Sequence, residues 1–285
     1  MAGLKKASGK VRDEVESVVN EIEQEEMRHL NEYVEPDEDG IVRNIPLLAG
    51  YTDKEGVLHD TFSFREMTGR DEEAISKADV RANGSKLINV LCERCVTEIG
   101  TLTKKSVGSA RWGQIIREML GGDLVWMAFK IREVSKGNEV EFTHVCPYCG
   151  AKLTTTVNTD EFEITPYKGS ASIEFSLPRG YRDLKKEVHK DGVLRLPNGL
   201  DMELVTPIIK KNTSSAMTVL LTRLVSFSDG AVVSQSCINE MSLRDREVLE
   251  KIIKENDFGI STNFDLICDS CGRGFSAGIS QSNFF

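Results

Sequence analysis

At 285 residues and 40% hydrophobic content, the chain can bury a substantial core and build one to three domains. Its formal net charge of −9, from 45 acidic against 36 basic side chains, argues against general affinity for phosphate backbones. No apolar run is long enough to cross a bilayer, and the opening Met1-Ala-Gly-Leu-Lys-Lys lacks the apolar centre of a signal peptide, so the sequence reads as intracellular with no membrane partner. Seven cysteines in that setting read as metal ligands and buried thiols rather than disulfides.

Residues 1–60 read as an N-terminal arm. An apolar stripe at Val11, Val15, Val18, Val19, Ile22, Met27 and Leu30 predicts a helix to about Tyr33, with Glu14, Glu16, Glu21, Glu23, Glu25 and Glu26 on its other faces. Glu-Pro-Asp-Glu-Asp-Gly at residues 35–40 ends it. Such a helix either packs on its own domain or docks on a partner subunit.

Residues 61–165 form repeat A. A strand over Thr61–Glu66 leads to Thr68, the N-cap of a helix with acidic residues in its first turn. Ile88, Leu91, Cys92, Cys95 and Ile99 share the apolar face of the next helix. A further helix runs from Asp123 to Gly137, followed by strands Val140–Val145 and 151–157 on either side of Cys146-Pro-Tyr-Cys149-Gly150. Residues 166–198 read as a connector, with turn signals Leu-Pro-Arg-Gly and Leu-Pro-Asn-Gly. Repeat B, residues 199–285, follows with a strand at Leu200–Leu204 and a helix start at Thr206-Pro207. Its next helix carries Met217, Leu220, Leu221 and Leu224 on one face, and another starts at Asp245. A strand over Asn263–Ile267 then leads to Cys268-Asp-Ser-Cys271-Gly272 and a last strand at 273–279.

The two repeats align by residue. Residues 123–162 lie on 245–284 without a gap, placing Asp123 on Asp245, Phe142 on Phe264, Phe162 on Phe284, and Cys146, Cys149 and Gly150 on Cys268, Cys271 and Gly272. The predicted fold is therefore α+β: an internally duplicated strand-helix-helix-β-hairpin domain, each hairpin tipped by a zinc-knuckle turn, with an N-terminal helical arm.

A Cys-x-x-Cys-Gly turn between strands suits zinc because it aims two sulfurs at one point and its N–H groups donate to the thiolates. Zinc takes four ligands and each repeat offers two, so the simplest completion is Cys146, Cys149, Cys268 and Cys271 around one ion. A competing completion joins Cys92 and Cys95 to Cys146 and Cys149, a spacing that fits a zinc ribbon. The duplication opposes it: anchored on Arg94 and Arg223, Cys92 falls opposite Leu221 and Cys95 opposite Leu224, inside an apolar stripe. Cys237 has no counterpart and reads as an ordinary thiol. His144 could replace a sulfur, although Leu266 stands opposite it, and a redox dithiol is disfavoured by flanking strands where such chemistry uses a helix N-terminus. A four-cysteine site is coordinatively closed, hence structural.

No glycine-rich phosphate loop, His-Glu-x-x-His or nucleophile elbow occurs, and His29, His59, His144 and His189 are scattered along the chain. No enzyme and no small-molecule substrate is expected. In the second repeat, Met241-Ser-Leu-Arg-Asp-Arg, an apolar helix through Ile253, Cys-Asp-Ser-Cys-Gly and the terminal Phe284-Phe285 form a recognisable cadence; Phe64-Arg-Glu-Met-Thr-Gly-Arg-Asp-Glu-Glu leads into the first. Over most of residues 61–285 this resembles the T-even phage baseplate hub and assembly protein family, with relatives in other contractile tails. The resemblance implies a structural component of the tail baseplate, at the hub or the wedge–hub junction. It would work through contacts with other baseplate subunits, in the virion after assembly in the host cytoplasm, with no catalytic residues to carry over. A free tail-assembly chaperone fits the same residues. The alternative from another class is a zinc-ribbon nucleic-acid-binding or transcription adaptor; Arg273, Lys152 and Tyr148 are present for it but form no basic stripe.

Overall fold

A computed structural model of the chain describes residues 30, 32–183 and 185–279. Almost all of the helix expected over 11–33, and the terminal phenylalanines, lie outside them; Leu30 is helical and packs on the core. The first half runs β1 (Ile41–Thr52), β2 (Leu58–Arg65), α1 (Gly69–Ile75), α2 (Ala78–Arg81), α3 (Gly84–Cys95), β3 (Val96–Ile99) and β4 (Leu102–Thr103). It continues with α4 (Lys104–Val107), α5 (Ser109–Glu118), α6 (Gly121–Lys136) and the hairpin β5 (Glu139–Val145) and β6 (Lys152–Asn158). After β7 (Ile164–Thr165), the second half has β8 (Ser172–Arg182), β9 (Val188–Arg195), α7 (Gly199–Ile209), α8 (Thr213–Leu224) and β10 (Val225–Phe227). It ends with α9 (Gln235–Glu240), α10 (Leu243–Glu255), β11 (Gly259–Ile260) and the hairpin β12 (Asn263–Ile267) and β13 (Gly274–Gly278). All strand pairs are antiparallel, in sheets ordered β1-β2-β3-β4 and β10-β9-β8 and three two-stranded pairs. Helices packed beside antiparallel strands make the fold α+β.

Two stretches differ from the sequence reading. The arm contains β1 and the connector contains the β8–β9 hairpin, so each half opens on a long strand pair that the sequence pattern hides. Register shifts between Val42 and Ile45, Pro46 and Tyr51, and Ser176 and Tyr181 break the alternation of period two in both. Residues Leu200–Leu204 are helical, because Asn198 caps α7 by accepting from the Asp201 amide. Thr206 is therefore mid-helix, its hydroxyl donating to the Met202 carbonyl at 2.8 Å, and Pro207 lies inside the helix. Proline supplies no N–H to the Glu203 carbonyl four residues earlier, and Asn83 Nδ2 of the first half donates to that oxygen at 2.8 Å. The helix-breaking residue thus frees an acceptor for α3–α7 contact, beside Asn89 Nδ2 on the Gly199 carbonyl and Ser85 against Thr206.

Each half is organised by a buried aspartate between two arginines. Asp71 is fully buried and accepts from Arg65 at 2.7 and 3.2 Å, from Arg94 Nε at 2.8 Å and from the Thr68 amide and hydroxyl. Asp201, also fully buried, accepts from Arg195 at 2.6 and 3.0 Å, from Arg223 Nε at 2.6 Å and from the Asn198 amide. The node ties the strand before α1 or α7, that helix's N-terminus and the later helix α3 or α8 together. Helices α6 and α10 repeat another device: Asp123 and Asp245, both buried, accept backbone N–H groups of Leu48, Ala49 and Gly50 and of Arg179. Around these nodes lie two apolar cores, one containing Phe62, Phe64, Leu91, Trp112, Trp126 and Phe129, the other Leu194, Leu221, Leu224, Ile238 and Leu249. No helix among the described residues is long and apolar enough to cross a membrane.

Burial alone would raise the carboxyls of Asp71 and Asp201, but their arginines and the amides of Thr68 and Asn198 hold both below the ordinary carboxylate range. A depressed folded-state pKa gives stability that is present above the unfolded value near 3.8 and lost as pH falls through the folded value. The contribution of these two groups to thermal stability should therefore be flat from neutral pH to about 5 and fall below about 4, measurable as melting temperature against pH.

Candidate metal centre

Both cysteine turns fold alike. In the first, the Cys146 amide donates to the Ala151 carbonyl and the Gly150 amide to the Cys146 carbonyl. In the second, Cys268 donates to Arg273 and Gly272 to Cys268. Gly150 at φ 73° and Gly272 at φ 70° adopt the left-handed conformation that closes each turn at little cost for glycine. The hairpins beneath, β5–β6 and β12–β13, are joined below the turns by aromatic contacts. Phe264 lies 4.8 Å from Phe162 edge-on and 6.0 Å from Phe142, and Arg273 sits over the Tyr148 ring at 5.2 Å. Pairing of β7 with β11, at Thr165 with Gly259 and Ile164 with Ile260, fixes the bases of the two hairpins side by side.

The four sulfurs cross-pair between the turns: Cys146 Sγ lies 3.8 Å from Cys271 Sγ, and Cys149 Sγ 3.7 Å from Cys268 Sγ. All four lie within 4.8 Å of one another. Sulfurs at the corners of a tetrahedron around zinc, each about 2.3 Å from the ion, would be about 3.8 Å apart. Exchanging the two halves carries each of these sulfur pairs onto the other, as a twofold relation requires. Cys146 and Cys268 are buried while Cys149 and Cys271 are exposed. Burial raises the Cys146 thiol, but the Tyr148 and Cys149 amides with the Cys149 and Cys268 thiols bring it down to about 7. The Ala151 amide lowers the Cys149 thiol, yet burial and the Cys146, Cys268 and Cys271 sulfurs carry it up to about 12. The downward pull on Cys146 and the upward push on Cys149 are the electrostatic situation that a divalent cation relieves.

The other sequence candidates stand apart. Cys92 and Cys95 are fully buried in the first core on α3, outside the four-sulfur cluster, and burial pushes both thiols up, Cys95 to about 12. Cys237 is buried in the second core. His144 lies against Phe142 and Phe275 rather than in the cluster. Ile99 belongs to β3, since α3 stops at Cys95. Arg94 and Arg223 occupy matching places on the two buried aspartates, which the sequence used only as an alignment anchor. The Asp nodes themselves escaped that reading, although Arg-x5-Asp ahead of each helix was a visible signal. Replacing Cys92 and Cys95 together by alanine should cost roughly 1–3 kcal/mol of stability by cavity formation and leave bound metal unchanged, checked by denaturant unfolding with elemental analysis.

Residues 50–279 match the protein family described as T4 bacteriophage base plate protein. Comparison with curated proteins found no match. Comparison with solved structures found none either.

Proposed function

Because the chain belongs to the T4 bacteriophage base plate protein family, whose match spans residues 50–279, we propose that it is a non-enzymatic building block at the hub, or the wedge–hub junction, of a contractile-tail baseplate. Its place is the virion tail, among other baseplate subunits. It is assembled in the host cytoplasm, and one structural zinc on Cys146, Cys149, Cys268 and Cys271 staples two copies of a duplicated strand-helix-helix-hairpin unit. The observation that carries the zinc reading is the set of cross-paired sulfurs at 3.7 and 3.8 Å from two hairpins of different halves. A closed four-sulfur site between strands supports a mechanical role: it would hold two small hairpins that could not stand alone. Recognition would then rest on surfaces that the staple keeps rigid. Tyr148 and Arg273, which a nucleic-acid adaptor would need to present, are engaged with each other.

The reading is tested on purified, nuclease-treated particles of the phage encoding the chain. Quantitative mass spectrometry should find the chain at a fixed stoichiometry to other baseplate subunits. Its absence from particles, with abundance in lysate, would turn the role into that of an assembly chaperone. Salt-dependent DNA binding by the isolated chain would instead restore the adaptor reading.

A further inference from the structure

His59 and His189 occupy matching places in the two halves, beside the closing turns of the β1–β2 and β8–β9 hairpins. Each stacks on a tyrosine, Tyr51 at 6.2 Å and Tyr181 at 6.0 Å, and each has an aspartate in the preceding turn, Asp53 or Asp183. Their imidazoles are used differently. In the first half, His59 Nε2 bonds Asp53 at 3.1 Å, and Nδ1 accepts from the Thr101 amide at 3.4 Å, so both nitrogens are occupied. In the second, Nδ1 lies 2.6 Å from Asp229 Oδ2, in the loop after β10. That leaves Nε2 buried with no hydrogen-bond partner, 3.8 Å from Asp183 Oδ2. His189 is only 6% exposed.

The same corner carries one further donor that the first half lacks. Glu187 stands where the first hairpin has Val57, one residue before the exposed start of the returning strand. Donor atoms of Asp183, Glu187 and His189 all lie within 4.8 Å of one another. The Glu187 amide holds Asp183 Oδ1 at 2.8 Å, so Asp183 Oδ2 is the oxygen turned toward the imidazole. A carboxylate on one ring nitrogen fixes the other as a lone-pair donor and strengthens it as a ligand. One imidazole and two carboxylates suit a first-row divalent ion, with water completing the shell.

We propose that Asp183, Glu187 and His189 bind a divalent cation of the Mn2+ and Zn2+ class, with Asp229 as the positioning residue for His189. The ion ties together the tip of the β8–β9 hairpin and holds in place the imidazole that Asp229 bonds from the loop after β10. In the first half the Thr101 amide and the direct Asp53 bond do that work without an ion. This inference does not depend on the four-cysteine centre, and oxygen-preferring Mn2+ separates the two because an all-thiolate site disfavours it.

The experiment titrates the full chain with Mn2+ and follows the free aquo-ion signal by electron paramagnetic resonance. The wild type should take up about one Mn2+ per chain. Glu187→Val, which copies the first half, and His189→Gln should each weaken uptake at least ~10-fold; Asp229→Asn should weaken it ~10–100-fold. Melting curves without Mn2+ identify any variant that has failed to fold, and the wild-type titration needs no substitution. No uptake by the wild type at millimolar Mn2+, or equal uptake by folded Glu187→Val and His189→Gln, overturns the proposal.

Discussion

Chelating the metal from the four-cysteine centre, or replacing Cys268 and Cys271 by serine, is expected to release about one zinc per chain and to lower the melting temperature by ~10 °C or more. The two hairpins that the centre joins contribute few buried side chains below their tips: Val140, Phe142 and Val157 from one, with Phe264 and Leu266 of the other only half-buried. A two-stranded hairpin is marginal in water, so their alignment falls to the sulfurs, the β7–β11 pairing and the edge-on aromatic contact. Structural four-ligand zinc sites bind with ~10–16 kcal/mol of apparent free energy, and the part coupled to folding here comes to a few kcal/mol because most side chains of both cores belong to other elements. At about 2–4 °C per kcal/mol for a chain of this size class, that gives the stated shift. Zinc analysis and calorimetry measure both halves of the expectation. A serine variant that keeps its zinc, or a Cys92→Ala/Cys95→Ala chain that loses it, would reassign the ligands.

Asp71→Ala should destabilise the first half by about 3–5 kcal/mol, the range for removing one member of a buried ion-pair network. The guanidinium groups of Arg65 and Arg94 lose their common partner, and the Thr68 amide and hydroxyl lose theirs. Asp71→Asn should recover part of the loss, because an amide oxygen still accepts two of those bonds while the charge is gone. Asp201→Ala should behave alike in the second half, against Arg195, Arg223 and Asn198. The nodes share no partner, so the double variant should lose roughly the sum, and denaturant unfolding of all three variants tests it. A cost below ~1 kcal/mol would show that the arginines find water easily and that the node is ornamental.

Much of the four-cysteine cluster was legible in the chain itself, and the reason is local. The Cys-x-x-Cys-Gly turns, the aspartates that open α6 and α10, and the phenylalanines beneath the turns all lie in one gap-free block, so a single offset finds them. The opening hairpins were not legible, because bulges spoil the alternation of β1 and β8 and the two halves differ in length where the first has α4 and α5 and the second has α9. With that offset lost, Leu200–Leu204 was matched to β2, whose true counterpart is β9. A comparison begun at Gly50-Tyr51-Thr52-Asp53 and Gly180-Tyr181-Arg182-Asp183 would have restored it. Pro207 misled for a separate reason. Its usual place at a helix start is a statement about a missing donor, and here the freed acceptor is satisfied by Asn83 from the other half.

The cross-pairing of sulfurs also sets a clock. Cys146 meets a partner 125 residues later in the chain and Cys149 one 119 residues later, so neither can be satisfied by its own half. At ~5–20 residues per second, a ribosome needs roughly 6–25 s to supply the missing pair. For that interval the nascent first half carries two thiols whose partners have not yet been made. A chain broken before Cys268 stays in that state permanently and is marked chemically as unfinished, open to oxidation and to capture by free metal, whereas the longer chain closes on itself.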